Sequence, residues 1–384
     1  MSLNILCSGF LVRYPLGGFS WHHSQYLIGL CRLGHKVTYF EHYGWADSCY
    51  NPALNAVSSD PGYGLGFIKQ LTERYGLNFH WSYISEDGTT YGMSREQLAQ
   101  TCRDADVYFN LSNINWIPEL EDCRRRVLVD TDPVFTQIGA HGSGGPFANY
   151  QRLFTYGENV HQPGCEMPTG GARWLPTRQP VVLDLWPVRP GNVSAPLTTV
   201  MHWSPFGTRP QLSHYGQKDR EFEPYFGLPR STGQTMQLAC GPPTTARERL
   251  LEGGWQLVHP LEVTRDPWVY QEYILSSRAE FSVAKHGYVS TQCGWFSERS
   301  AAYLASGRPV LVQDTGFSAW LKTGAGVIPF RNIDHVMSGI EEINTRYDFH
   351  CRAAKAVAEE YFDARQVLAD LLERSLESVA ESTR

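Results

Sequence analysis

Apolar and polar positions along this chain follow two periods. Short apolar runs such as Asn4-Ile-Leu-Cys, Val107-Tyr-Phe-Asn and Arg126-Val-Leu-Val-Asp read as buried strands. Longer stretches place apolar residues every three or four positions, the period of a helix with one buried face. In order, the pattern predicts a strand at 4–7, a helix over 20–33 and a strand at 34–41. It then predicts a helix near 66–75, a strand near 78–84, a helix at 94–103 and strands at 107–110 and 126–130, with Phe154-Thr-Tyr closing the series. Strands alternating with helices imply a parallel, doubly wound sheet.

Residues 157–196 break the pattern with many Gly and Pro. The end of this stretch, from Trp186 to Pro196, reads as a linker. A second series begins with the strand Leu197-Thr-Thr-Val-Met-His. The irregular segment 203–235 is too long for an idle connection. Helices follow near 246–252 and 267–276, then strands Trp255-Gln-Leu-Val and Glu280-Phe-Ser-Val-Ala. A helix at 333–343 and a kinked amphipathic run over 348–381, bent at Tyr361-Phe-Asp, end the chain. The expected organisation is an N-terminal Rossmann-like domain over 1–190, a second over 196–360 and a final helix over 361–384.

Bulk properties agree with this division. A chain of 384 residues is too long for one ordinary core. The 42% hydrophobic and 19% charged content is that of a soluble globular protein. The net charge of −6 is spread along the chain, so no nucleic-acid partner is expected. No run reaches the roughly 18 apolar residues that a membrane span requires. The first residues read as a strand rather than a signal peptide, so a cytoplasmic location is expected. Nine cysteines are scattered without Cys-x-x-Cys pairs, which suits reduced thiols rather than a structural zinc site. Aromatic residues make up 13% of the chain, and groups such as Trp21, Tyr39, Tyr43, Trp45 and Phe109, Trp116 recur near strand ends. Rings there fill cores, or take a sugar or aromatic ligand.

The most informative stretch runs from Gln292 to Phe317. Ser297 is placed to cap a helix opened by Glu298 and Arg299, with Ala301, Leu304 and Ala305 as its packing stripe. Gly307 suits a left-handed helix stop, Pro309 blocks continuation, and Val310 to Val312 form a strand ending at Asp314-Thr-Gly. A helix N-terminus facing the carboxyl end of a sheet suits a diphosphate. The alternative is one more helix–strand unit with no ligand.

These residues carry a resemblance. Cys293-Gly-Trp295 followed by Ser297 is similar to the nucleotide-sugar signature of glycosyltransferases with the GT-B fold. Gly307-Arg-Pro-Val-Leu-Val-Gln-Asp314-Thr-Gly316 resembles the later turn and strand of the retaining branch of that superfamily. The chain departs from the pattern in having Gln292 where the plant-type signature begins with His. It also has Gly294 and Ala302 where retaining members carry two glutamates, with Glu298 one turn away as a substitute ribose or sugar contact. The stereochemical outcome is therefore open. The resemblance implies two facing Rossmann-like domains, with a C-terminal helix crossing back onto the first. It implies a metal-independent transferase whose co-substrate is a UDP-, dTDP- or GDP-linked sugar, and whose acceptor is a hydroxylated small molecule or glycan. Donor contacts then fall on Gly294, Ser297, Glu298, Arg299, Asp314, Thr315 and Gly316. Lys218 joins them, because Gln217-Lys-Asp-Arg-Glu-Phe resembles the lysine-bearing turn that meets a donor diphosphate. Arg209 and Arg220 share that segment, and Lys285-His286 follows a strand at the same edge.

In the first half, Gly17-Gly18-Phe-Ser-Trp21-His22-His23 puts a flexible loop at the mouth of a helix, with Ser20 as its cap. Ligands bind at this edge of a doubly wound sheet, and glycines permit close backbone approach. Gly17, Gly18 and Trp21 are thus candidate acceptor contacts. In the resembled enzymes this loop faces the cleft, and inverting members carry a histidine base there. An imidazole of near-neutral pKa suits that role. His22 and His23 point about 100° apart, so one is expected to act, with His23 favoured. Asp132, in Asp130-Thr-Asp132-Pro133, is the third candidate catalytic residue, orienting the histidine or holding the acceptor hydroxyl. The alternatives are a capped helix and an ordinary Asp-Pro turn. Two other functions fit the same fold: a nucleotide-sugar 2-epimerase, and a binding protein whose catalytic residues have been lost.

Overall fold

The computed structural model describes residues 2–140, 146–204 and 215–377. The first series contains β1 (Asn4–Ser8), α1 (Gly17–Arg32), β2 (Lys36–His42), β3 (Cys49–Asn51), β4 (Ala56–Ser58) and α2 (Gly62–Tyr75). It continues with β5 (His80–Ile84), β6 (Thr90–Gly92), α3 (Arg95–Asp104), β7 (Val107–Leu111), β8 (Arg126–Asp130), α4 (Phe135–Ala140), β9 (Arg152–Thr155) and β10 (Leu175–Pro176). These build an eight-stranded sheet in the order β10-β9-β8-β7-β1-β2-β5-β6, parallel throughout except for the edge strand β6. Strands β3 and β4 form a separate antiparallel ribbon.

The second series contains β11 (Leu197–Val200), α5 (Lys218–Phe222), α6 (Leu228–Thr232), β12 (Met236–Ala239), α7 (Thr244–Glu252), β13 (Gln256–Val258), α8 (Pro260–Thr264) and α9 (Pro267–Ser276). After these come β14 (Ala279–Ser282), α10 (His286–Thr291), α11 (Glu298–Ala305), β15 (Val310–Gln313) and β16 (Val327–Phe330). Their strands form a six-stranded parallel sheet ordered β13-β12-β11-β14-β15-β16. Helices α12 (Ile333–Thr345), α13 (Tyr347–Tyr361) and α14 (Ala364–Leu376) close the chain. Both sheets are buried on both faces, which is why their strands read as continuous apolar runs.

In each sheet the chain leaves its first strand in both directions. The order therefore reverses between β1 and β7, and again between β11 and β14. The loops leaving these strands open crevices at the carboxyl edge, where doubly wound sheets take their ligands.

Helix α1 binds the two halves together. It packs against α9 from the second half and against α14, and it is buried over most of its length, which explains its weak amphipathic pattern. It begins at Gly17, three residues before the expected start. Its cap is Leu16, and the Ser20 hydroxyl is buried without a partner, so Ser20 does not cap. Gly17 is required by packing, since a Cβ there would lie 2.3 Å from the Tyr270 Cβ. The last helix does cross back. After the break at Phe362-Asp363, α14 lies on α1, where a Cβ at Gly29 would meet Leu368 Cδ1 at 2.4 Å. The segment after Trp186 is pinned by buried Arg308, whose guanidinium donates to the Arg189, Pro190 and Leu275 carbonyls. No helix among the described residues is long and apolar enough to cross a membrane.

Candidate functional site

The turn between α10 and α11 is built by a residue from far upstream. Asn159 donates from Nδ2 to the carbonyls of Gln292 (3.0 Å) and Gly316 (2.9 Å), and from its backbone to Cys293 (3.0 Å). A Cβ at Gly294 would sit 2.7 Å from Asn159 Cγ, and one at Gly316 2.7 Å from Asn159 Nδ2. Both glycines also hold positive φ, 81° and 93°. The Gly294 N–H is spent on Thr315 O, and the Thr315 hydroxyl donates to Trp295 O at 2.5 Å. Asp314 accepts from Gly316 N, Ser318 and Arg331. Much of the polar chemistry of Gly294, Asp314, Thr315 and Gly316, the expected donor contacts, goes into holding two turns and Asn159 together.

Helix α11 forms as the pattern predicts. The Ser297 hydroxyl accepts from Arg299 N at 3.2 Å, and Gly307 stops the helix with φ 67°. The space before its first turn is nearly filled. A cavity of about 20 Å³, lined by Ser282, Phe296, Ser297, Ser300, Gln313 and Phe317 among others, has room for a water.

Arg299 is also corrected. Its guanidinium donates to Glu280 Oε1 (2.6 Å), Val200 O (2.7 Å) and Ser282 Oγ (2.7 Å), tying α11 to β11 and β14. Burial opposes its charge, but wholly buried Glu280, with Tyr270 and Glu298, raises its pKa. Glu298 in the same turn is half-buried and makes no hydrogen bond or ion pair with any described residue.

Lys218 stands apart. It is 8% exposed and makes no hydrogen bond or ion pair among the described residues. Burial, then the charges of Arg299 and Lys285, push its ammonium down from 10.5 to about 7, against the opposing pull of Glu280 and Glu298. Gln217 beside it is buried, with neither amide atom partnered among the described residues. Lys218 ends the loop leaving β11, and Lys285 follows β14, so the two cations flank the crevice of the second sheet. Arg209 lies outside the described residues. On α5, one turn after Lys218, Glu221 accepts from the Gln313 amide and pairs with His286 Nδ1. Sequence reasoning missed Glu221, Gln313 and Asn159, which carry no local signal.

The first half meets this edge through Asp132. Its carboxylate takes both hydrogen bonds from Lys285 Nζ at 2.7 Å and one from the Tyr288 hydroxyl. Asp130, wholly buried, holds the turn by accepting from Asp132 N, Gln137 and Thr155, and burial raises its pKa. No group of three metal-ligating side chains occurs among the described residues.

The histidines differ from expectation. His23 is 1% exposed, hydrogen-bonds Phe19 O through Nδ1 and lies against Gly9; His22 stands edge-on to Tyr156. Burial lowers His22 from 6.5 to about 4. Burial, with His22 next, lowers His23 to about 3. Neither is a base of near-neutral pKa, because desolvation disfavours the imidazolium. Trp21 is corrected too: it is buried against Trp186, and its indole donates to Pro267 O at 2.6 Å, so it joins the two halves instead of lining a cleft. Gly18 leaves space, since a Cβ there would meet only the Tyr270 ring end at 3.8 Å.

A cavity of about 1050 Å³ lies at the opposite, amino-terminal edge of the first sheet, near Cys31, His35, Lys36 and Asp104. Doubly wound sheets take ligands at the carboxyl edge, away from this cavity.

No protein-family model matches the chain, and no curated protein matches it in sequence. Solved structures match its fold. An alpha-glucosyltransferase (AGT) in complex with UDP aligns at TM-score 0.62 and 10% identity, over 98% of this chain and 100% of the other. AviGT4, a glycosyltransferase involved in avilamycin A biosynthesis, aligns at 0.55 and 11% over 97% of each chain. Anabaena HepE in complex with UDP and glucose aligns at 0.56 and 13%, over 97% and 99%. Likeness along the full length, with two parallel doubly wound sheets and a last helix that returns to the first, establishes that the chain has the GT-B fold.

Proposed function

We propose that this protein is a glycosyltransferase that moves a sugar from a nucleotide-sugar donor to a hydroxyl acceptor at the facing carboxyl edges of its two sheets. The observation that carries the reading is Lys218, a buried ammonium that pairs with no carboxylate among the described residues, at the crevice of the second sheet. A desolvated cation without a partner costs folding free energy and is relieved by an anion. In the donor, the bond between the anomeric carbon and the diphosphate oxygen breaks, and the diphosphate keeps the electron pair. Lys218 stabilises that charge, and Lys285 adds to the field. Glu298, open and half-buried, takes a donor hydroxyl. Asp132, freed as Lys285 turns to the diphosphate, holds the acceptor hydroxyl and receives its proton while the acceptor oxygen bonds the anomeric carbon; His22 and His23 are buried and weakly basic.

The solved neighbours with UDP or with UDP and glucose favour a uridine donor over dTDP or GDP. One of them was solved with UDP and DNA. This chain has a net charge of −6 and no basic block, which supports a small acceptor instead. The test is incubation with UDP-, dTDP- and GDP-sugars, following nucleotide release with and without hydroxylated acceptors. Release of one nucleotide with sugar transfer is expected. Binding without sugar release from any donor would make this a nucleotide-binding protein.

A further inference from the structure

The loop leaving β1 sits at the crevice of the first sheet, the place where Rossmann-like folds offer backbone amides to a phosphate. Here those amides are already taken. The Glu41 carboxylate accepts from Leu11 N (2.8 Å), Val12 N (2.8 Å) and Arg13 N (2.9 Å), and also from Arg13 Nε (3.0 Å) and the Tyr39 hydroxyl (2.6 Å). Glu41 and Arg13 are wholly buried. An internal carboxylate thus fills an anion nest, and its charge is met by an internal guanidinium.

Above that pair lies a patch of rings. The Arg13 guanidinium stands 4.2 Å from the Phe10 ring centre and 4.9 Å from that of Trp45. Phe10 touches Tyr14, Phe19 and Trp45 with ring centres about 6 Å apart, and Tyr14 lies nearly parallel to Tyr50. Phe19 and Trp45 are 44% and 48% exposed. Phe19 is in the first turn of α1 beside Gly18, so the patch lies at the carboxyl edge of the first sheet. The rings present flat faces and phenolic tips with no net charge.

We propose that this patch is the acceptor subsite, and that Glu41 makes it selective for neutral acceptors carrying a flat ring over phosphorylated ones. The word acceptor rests on the transferase reading; the binding preference does not. A flat ring gains from stacking on exposed aromatic faces, whereas a phosphate finds the amides already taken by Glu41, the Arg13 charge already paired, and must give up water against uncharged rings. An aromatic ring and the apolar face of a sugar share this chemistry.

The test uses the whole protein, isothermal titration calorimetry, and three probes: 4-methylumbelliferone, methyl β-glucoside and 4-methylumbelliferyl phosphate. At least one neutral probe binds, and the phosphate ester binds at least about tenfold more weakly than its parent. Preference between the two neutral probes distinguishes an aromatic from a sugar acceptor. Trp45→Ala weakens the neutral probe at least about fivefold, while UDP affinity, measured on the same samples, stays within twofold. Equal binding of phosphate ester and parent, no binding of either neutral probe, or an unaffected Trp45→Ala overturns the proposal. Loss of UDP binding in the parent protein would instead sink the transferase reading, leaving the ring preference to be judged from the probes.

Discussion

Replacing Lys218 with Met tests the central electrostatic argument, because Met fills similar volume without the charge. The ammonium is brought from 10.5 to about 7 first by burial and then by Arg299 and Lys285. That fall corresponds to on the order of 5 kcal/mol held against the charged form. Between pH 7 and 10.5 the unfolded chain carries a proton that the folded protein lacks, so stability rises with pH across this window. The penalty is complete below pH 7 and gone above 10.5. Lys218→Met is therefore more stable than the parent by several kcal/mol at pH 6, with the difference vanishing near pH 10.5, as read by urea unfolding. Nucleotide binding reverses the sign. A diphosphate beside Lys218 restores its proton, so UDP binding at pH 8 takes up about 0.9 proton, and affinity falls up to about tenfold per pH unit above 7. Calorimetry in buffers of different ionisation enthalpy measures the uptake. In Lys218→Met the uptake disappears, and UDP affinity drops by about 1.5–3 kcal/mol, the range for a hydrogen bond to a charged group. UDP affinity within twofold of the parent, together with no gain in stability at pH 6, would refute the reasoning.

Arg299→Met strands the buried Glu280 carboxylate and should cost about 3–5 kcal/mol in urea unfolding, with much of the loss recovered by adding Glu280→Gln; a cost under about 1 kcal/mol would contradict the ion pair's role. Gly17→Ala should lower the melting temperature, because its Cβ would fall 2.3 Å from Tyr270, costing about 1–3 kcal/mol, while Gly18→Ala at 3.8 Å should be tolerated. If both melt like the parent, the close packing of α1 on α9 is wrong. The imidazoles of His22 and His23, lowered from 6.5 to about 4 and 3, should stay neutral from pH 8 to pH 5 in nitrogen-detected NMR. Because the unfolded chain gains these protons first, stability falls as pH drops below 6.5; protonation of either ring near pH 6.5 in the folded protein would overturn that account.

Most of the element order was legible in the sequence, for a physical reason. Strands covered on both faces need continuous apolar runs, and the long helices need a repeating stripe, so the helix expected at 333–343 appears as Ile333–Thr345. Ser297 and Gly307 mark the ends of α11 through backbone demands that act within a few residues. Local chemistry of this kind is written in order along the chain. The early start of α1 and its nearly complete burial were not legible, because they come from α9 and α14, more than two hundred residues away in sequence.

The site divides along the same line. The sequence alone identified Lys218, Lys285, Asp132 and the segment from Gln292 to Phe317 as the residues worth weighing. Only the tertiary structure decided their duties, because a polar side chain acts on a ligand only if no nearer partner takes it first. Asn159 consumes the glycine turns, Glu280 consumes Arg299, and Asp132 faces Lys285 across the two halves. Lys218 is left without a hydrogen-bonded or ion-paired partner among the described residues. Residue type and spacing set what each group is able to do; the distances at which the fold brings buried charges together determined which of them remains open.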